Sequence, residues 1–454
     1  MTGAPSVSER LAHVAAGLAG KPMPPKARAR AEEILIDIAG LCVAARGTDY
    51  VKALIDGWDG SGDCTAIGHA KGFDAAGAAV INGTASHGED FDDTFEGGPV
   101  HAGVVIVPAV LAAAERYGRP GSAALLGLAF GTEVTCRLST VVPKAIHKSG
   151  FHPTAVLGAM GAASAVAVTL GVDERRHVHA LGLAGSMAGG IIEYLAEGSW
   201  SKRLHPGWAA QSGLRAALMA RHGFEGPRTV FEGEHGLFHG FAHTTKGNWD
   251  ALLGELGKQW VMETIAFKPY ACGTMTHPYI DCARRLARRG IRADDIVDME
   301  CEVGEGTVHR LWEPLAQKQA VPNAYAGKFS TPYCIAVGFL TDDAGLGAFT
   351  EEKVADPRIR ALAAKVRYVI DSDNPYPRGY TGHIRATLKD GSVVEERQPH
   401  LRGGDHERLS RQEIEEKFRR NAAFGGWPKD KTQAFLAYAA RAFDGKIDLK
   451  PFRG

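Results

Sequence analysis

The longest apolar run of the chain, residues 154–172, is dominated by Ala and Gly. At about 19 residues it is formally long enough to cross a bilayer. Its small side chains make it weakly hydrophobic, so it reads as a buried helix in a helical core and no membrane partner is expected. Small-residue apolar segments recur at 75–81, 104–111, 123–139 and 180–190. The 56 glycines are spread through the chain's apolar segments and not gathered in linkers, and Gly/Ala surfaces let helices approach one another closely. A chain of 454 residues has room for about two to three domains.

Charge narrows the partners. The chain carries 52 basic and 52 acidic side chains, a formal net charge of zero. That gives no electrostatic footprint for nucleic acid or an anionic membrane. Seven cysteines is an odd number with no C-x-x-C pair, which favours a reducing, cytoplasmic setting and no structural zinc. Residues 1–18 lack a charged segment followed by an apolar core, so no signal peptide is read there.

Helical spacing of apolar residues predicts helices over 26–46, 73–84, 101–117, 123–139 and 209–222, with another in 175–195. Glu133 and Arg137, four apart, read as an ordinary ion pair on one of them. From about residue 258 the character changes. Strands are expected at 260–267, 297–303, 366–370, 380–388 and 392–397, the last two joined by an Asp390-Gly391 hairpin turn. Helices are expected at 276–288 and 326–340, and a Ser410/Glu413 capping box opens a helix to Arg420. A last helix follows at 432–442. The expected organisation is mainly α: a helical domain of 1–257 with 407–454, and a smaller α/β domain of 258–406.

Four polar insertions interrupt the apolar pattern. The first, residues 85–101, packs five acids, two histidines and Thr94 between two segments that read as buried. Buried acids are unfavourable unless paired or used. A helical 90–94 would place Asp90, Asp93 and Thr94 on one face, and the Gly97-Gly98-Pro99 break could turn His101 back over it. Solvated acids at a helix end fit the same pattern. The second insertion puts His152 ahead of Pro153, a helix-start pair that favours bound anions. The third gathers Lys202, Arg203 and His205 among aromatic residues; cations there oppose the dipole of the following helix, and a bound polyanion would explain them. The fourth, 268–278, contains Lys268, Tyr270, Cys272 and the His277-Pro278 pair, in a strand-to-helix connection of the kind that builds sites. Cys272 reads as a packed thiol. His235, His239 and His243 have a helical metal-face spacing, but the glycines between them break it, and no metal is expected.

Taken in order, Asp90-Phe91-Asp92-Asp93-Thr94 with His101, Gly150-Phe151-His152-Pro153-Thr154, Ser201-Lys202-Arg203-Leu204-His205-Pro206-Gly207 and Lys268-Pro269-Tyr270 with His277-Pro278 resemble the MmgE/PrpD family. The later pieces Lys328-Phe329-Ser330-Thr331-Pro332-Tyr333 and Tyr380-Thr381-Gly382 fit as well. That family includes 2-methylcitrate dehydratase, cis-aconitate decarboxylase and iminodisuccinate epimerase. The resemblance implies a large all-helical domain with a smaller α/β lid domain, a homodimer, no metal and no organic cofactor. Carried over by motif position, it implies Asp90, Thr94, His101, His152, Lys202 and His277 as site residues, with Tyr333 a looser match; Asp90, His101, His152, Lys202 and His277 are the expected catalytic residues, and Asp93, Thr94, Arg203 and Tyr333 the expected substrate-binding ones. The chain departs from the family where His101 is followed by Ala102-Gly103 instead of proline.

The chemistry implied is proton transfer at a carbon next to a carboxylate of a small di- or tricarboxylate. Histidines suit it because they titrate near neutrality, and Lys202 supplies charge for an enolate-like intermediate. Asp90 is the expected orienting acid for a histidine. The expected activity is a cofactor-independent lyase, either a dehydratase or a decarboxylase. An epimerase using the same groups, and a non-catalytic carboxylate-binding protein, are the alternatives.

Overall fold

The computed structural model describes residues 4–454. Contacts divide the chain into two units. The first holds the residues up to Gly88, 92–265 and 411–454; the second holds 89–91 and 266–410.

The first unit is helical. The run read as a central helix is Pro153–Leu170, 94% buried inside the protein. It packs against the helices Gly121–Val141 and Ser201–Arg221. Small residues explain the closeness. A Cβ on Gly83, in the helix Ala75–His87, would lie 2.6 Å from the Gly207 Cα of Ser201–Arg221, so these two backbones touch and neither position has room for a side chain. The helix Gly103–Tyr117 ends at Gly118 in the left-handed conformation, φ 59°. The C-terminal helix Arg411–Phe424 lies on Pro25–Ala45, where Lys417 Nζ meets Asp37 Oδ1 at 2.7 Å in the interior.

Two expectations fail here for identifiable reasons. Residues 260–267 form no strand; Val261–Thr264 is a 3-10 turn. The amide hydrogens of Val261 and Met262, which a strand would give to a neighbour, go to the Glu133 carboxylate at 3.0 and 2.9 Å. Glu133 is also paired to Arg137 at 2.5 Å, and Arg137 reaches the carbonyls of Gly254 and Gln259 at 2.7 and 3.0 Å. This clamp holds the segment to the helical unit, so the first unit runs to residue 265, past the expected 257. The second failure is the start of Ser201–Arg221. It begins eight residues before the expected 209, so Lys202, Arg203 and His205 sit in its first turns.

The second unit has a four-stranded sheet. Ile296–Val303 pairs in parallel with Val366–Ile370 on one side and antiparallel with Gly382–Leu388 on the other. Val393–Gln398 closes the edge, antiparallel to Gly382–Leu388. The helix His277–Arg288 packs on these last two strands, and Thr331–Thr341 packs on that helix. The single helix expected at 326–340 is broken. Ala324–Gly327 stops, and Ser330 caps a new helix by accepting from the Tyr333 amide at 3.1 Å, with Pro332 in its first turn.

Candidate active site

In the first unit the site grows from the C-terminus of Ala75–His87, a helix buried along its whole length. His87 is its last residue. The chain then leaves the helix through Gly88, packed against the Tyr50 ring, and Asp90 takes the left-handed conformation at φ 55°. Residues 90–94 are therefore not helical, and the shared face expected of Asp90, Asp93 and Thr94 does not form. The turn across Gly97-Gly98-Pro99 does bring the chain back, with the Phe95 amide donating to the Val100 carbonyl at 3.0 Å. His101 thereby returns over the acids. Its Nδ1 lies 2.6 Å from the Asp93 carbonyl oxygen, 3.2 Å from Asp92 Oδ2 and 3.3 Å from Thr94 Oγ1. A carbonyl only accepts, so His101 Nδ1 carries the hydrogen and Nε2 is the free edge of the ring.

Asp92 is the centre of this arrangement. The same Oδ2 lies 2.8 Å from His87 Nδ1. Asp92 is fully buried, and burial pushes its carboxyl up, but His87 and His101 override this and hold it well below the usual carboxylate range. Burial pushes His87 down to about 4 against the pull of Asp92, so it is a neutral Nδ1–H donor at neutral pH. Asp93 behaves oppositely. Burial and the neighbouring Asp92 charge push it up to about 7, although Asp93 Oδ2 accepts from the Gly103 amide at 3.0 Å. A side chain on Gly103 would collide with the Asp93 carboxylate and, at 2.9 Å, with Ile34 Cγ2, so this position has no room for one.

A second histidine pair adjoins the first. His152 is the residue before Pro153–Leu170, as its sequence context predicts, and its amide donates to the Gly190 carbonyl at 2.8 Å. Its ring stacks on His87 at 5.8 Å, and its Nδ1 is 3.2 Å from His205 Nδ1. Burial holds His152 well below the imidazole range, with His87 and Lys202 adding to the effect. Burial, His87 and Lys202 likewise push His205 down to about 4. Lys202 thus acts on three neutral rings. Arg203 stacks over the Tyr50 ring at 4.5 Å.

The second unit holds its own cluster. Lys268 Nζ donates to the Asp90 carbonyl at 2.9 Å and lies 3.4 Å from Asp90 Oδ1. Lys328 does the same to Glu89, at 2.7 Å to the carbonyl and 3.0 Å to the carboxylate. Residues 89–91 therefore belong to this unit, while Asp92 contacts His87 and His101. His277 is fully buried; its Nε2 lies 3.2 Å from the Cys272 carbonyl, and its Nδ1 has no hydrogen-bond partner. The ring sits edge-on to Tyr270 at 5.4 Å. Tyr333 is in the packed interior, its hydroxyl donating to the Ala348 carbonyl at 2.7 Å, so it fills the core of the unit.

His87, Asp92 and His101 are also the one group among the described residues whose ligand atoms lie within 4.8 Å of one another. His101 Nδ1 donates to the Asp93 carbonyl and so offers no lone pair itself; the lone pair of that ring is on Nε2. His235 and His239 are 6.3 Å apart by ring centroid and form no such group. The residues missed in the sequence are His87, Asp92, His205 and Lys268. All four lie inside the quoted insertions, but only the turn at Gly88–Asp90 separates the roles of five neighbouring acids.

Residues 9–250 match the family model of the MmgE/PrpD N-terminal domain, and residues 270–439 that of the MmgE/PrpD C-terminal domain. The cis-aconitate decarboxylase of Aspergillus terreus (strain NIH 2624 / FGSC A1156) is 27% identical over 421 residues, covering 86% of this chain and 84% of that protein. The cis-aconitate decarboxylase of Homo sapiens is 29% identical over 360 residues, covering 76% and 72%. The mitochondrial 2-methylcitrate dehydratase of Yarrowia lipolytica (strain CLIB 122 / E 150) is 26% identical over 233 residues, covering 46% and 43%. With both of its halves matched in order, the chain belongs to the MmgE/PrpD family.

Proposed function

We propose that this chain is a lyase that decarboxylates a cis-aconitate-like tricarboxylate, with His101 as the proton donor. The observation that carries the reading is the fixed orientation of His101, whose Nδ1–H is held by the Asp93 carbonyl and Asp92 while Nε2 is left for substrate. Decarboxylase relatives matched over most of the chain support it.

The reaction needs three things from the protein. Carboxylates must be held, and Lys202 supplies a cation beside neutral rings. The bond to the departing carboxylate then breaks, and its electrons form a new C=C as the old double bond shifts. The former alkene carbon takes one proton, delivered from His101 Nε2. One carbon dioxide leaves and one proton is consumed, giving a five-carbon unsaturated diacid. Thr94 and Asp93 hold the ring that donates.

Dehydration of a 2-methylcitrate-like substrate is the second reading, favoured by the match to the Yarrowia dehydratase. Parallel incubations with cis-aconitate, 2-methylcitrate and iminodisuccinate separate the possibilities. Carbon dioxide release from cis-aconitate is the expected result. Loss of water from 2-methylcitrate would replace it with the dehydratase reading, and solvent deuterium exchange into iminodisuccinate with the epimerase. Binding without turnover of any of the three would make the chain a carboxylate-binding protein.

A further inference from the structure

We infer that Asp92 is a positioning residue for proton transfer at His101, and that His87 tunes it by sharing the same carboxylate oxygen. The inference deepens the proposed reaction and rests on His101 as its proton donor.

Two Nδ1 atoms converge on one oxygen, His87 at 2.8 Å and His101 at 3.2 Å. Asp92 is fully buried and His87 is 2% exposed, so no solvent screens the pair. The rings are 5.1 Å apart and tilted by 58°, which lets both donors reach Oδ2 without stacking. Asp92 Oδ1 and His87 Nε2 are both buried without a hydrogen-bond partner. A purely structural Asp–His pair would satisfy these atoms. Here the carboxylate is underused on one oxygen and divided on the other. Asp92 Oδ2 therefore orients two rings at once, and the hydrogen bond from His87 competes with His101 for the same oxygen. His87 thus limits how firmly Asp92 holds the His101 ring.

The groups facing His101 are few. From its own loop come Asp92, the Asp93 carbonyl and Thr94; from Ala75–His87, His87; and at the start of Pro153–Leu170, His152. Lys202 acts on His87 and His152, and Asp37 of Pro25–Ala45 acts on Asp93. Asp92 is the only one of these that bonds two imidazoles through one atom.

The test uses Asp92→Asn and His87→Phe in the full chain. With cis-aconitate, Asp92→Asn is expected to lower kcat about 10²–10⁴-fold while KM stays within about threefold, the upper figure being that for loss of the orienting carboxylate behind a catalytic histidine. The high-pH limb of its rate profile moves down by about one pH unit, because the protonated donor has lost its counter-charge. His87→Phe moves the same limb up. Opposite movements are not produced by a packing defect. A second readout needs no substrate: 15N-imidazole spectra, with the His101 signal identified by its loss in His101→Gln. Its titration moves to lower pH in Asp92→Asn and to higher pH in His87→Phe. If those spectral shifts occur while cis-aconitate is untouched, the lyase reading fails and the Asp92–His101 coupling stands. If neither variant moves the His101 titration, the inference is overturned; His87→Phe alone decides it should Asp92→Asn not fold.

Discussion

His101 in the helical unit and His277 in the α/β unit are each anchored through one ring nitrogen, but by different chemistry. His101 Nδ1 is held by a backbone carbonyl at 2.6 Å and also by the Asp92 carboxylate at 3.2 Å. His277 Nε2 lies 3.2 Å from the Cys272 carbonyl. A carbonyl fixes orientation and tautomer. A carboxylate does that and also changes how strongly the ring holds a proton. On the proposed function proton donation falls to His101, and His277 keeps a buried Nδ1 with no hydrogen-bond partner.

The strongest way to break the comparison is to remove each ring. His101→Gln should lower kcat by about 10²–10⁴-fold and leave the thermal midpoint within a few degrees. His277→Gln should lower kcat about 10²-fold. Steady-state kinetics from pH 5 to 9 checks both. Equal losses with the same displaced limb in both variants would erase the distinction.

Next comes Lys202→Met, expected to cut kcat/KM for the tricarboxylate about 10²-fold. It should also ease the depression of His205, whose proton affinity burial, His87 and Lys202 together hold down. A smaller effect sharpens the electrostatics. Asp93, pushed up to about 7, holds its proton more tightly folded than unfolded. Its stabilisation is complete below about pH 4 and is lost as pH rises through about 7. Asp93→Asn should therefore gain in thermal midpoint relative to the parent between pH 5 and 8. His87 and His205, pushed down to about 4, work the other way: their contribution is present above about 6.5 and is lost as pH falls toward 4. Replacing His87 by Phe should thus flatten the acid-side loss. Differential scanning across pH reads both signs. The smallest effect is expected for Tyr333→Phe, which removes one hydrogen bond inside the α/β unit and should cost about 1 kcal/mol with turnover within twofold.

Much of the helical unit is legible in the sequence because its helices are built from small residues at places where backbones touch, as at Gly83 and Gly207. The His152-Pro153 helix start was legible for the same local reason. Long-range hydrogen bonds were not. The apparent strand at 260–267 is a turn held by Glu133, about 130 positions earlier in the chain. The choice among acids failed similarly. Asp90 and Asp92 are chemically alike, and the left-handed turn at Asp90 sends one to Lys268 and the other to two histidines. Tyr333 matched a motif by position, yet its hydroxyl is taken by a carbonyl of its own unit.

The central claim is that His101, oriented by Asp92 and Asp93, delivers a proton to a tricarboxylate as carbon dioxide leaves. Turnover of cis-aconitate in deuterium oxide tests it most directly, with the parent and His101→Gln compared. The account predicts one carbon dioxide per substrate, one deuterium at the former alkene carbon of the diacid product, and near-complete loss of both in His101→Gln. Carbon dioxide release that survives in His101→Gln at the parent rate, or a product carrying no solvent deuterium, would contradict it.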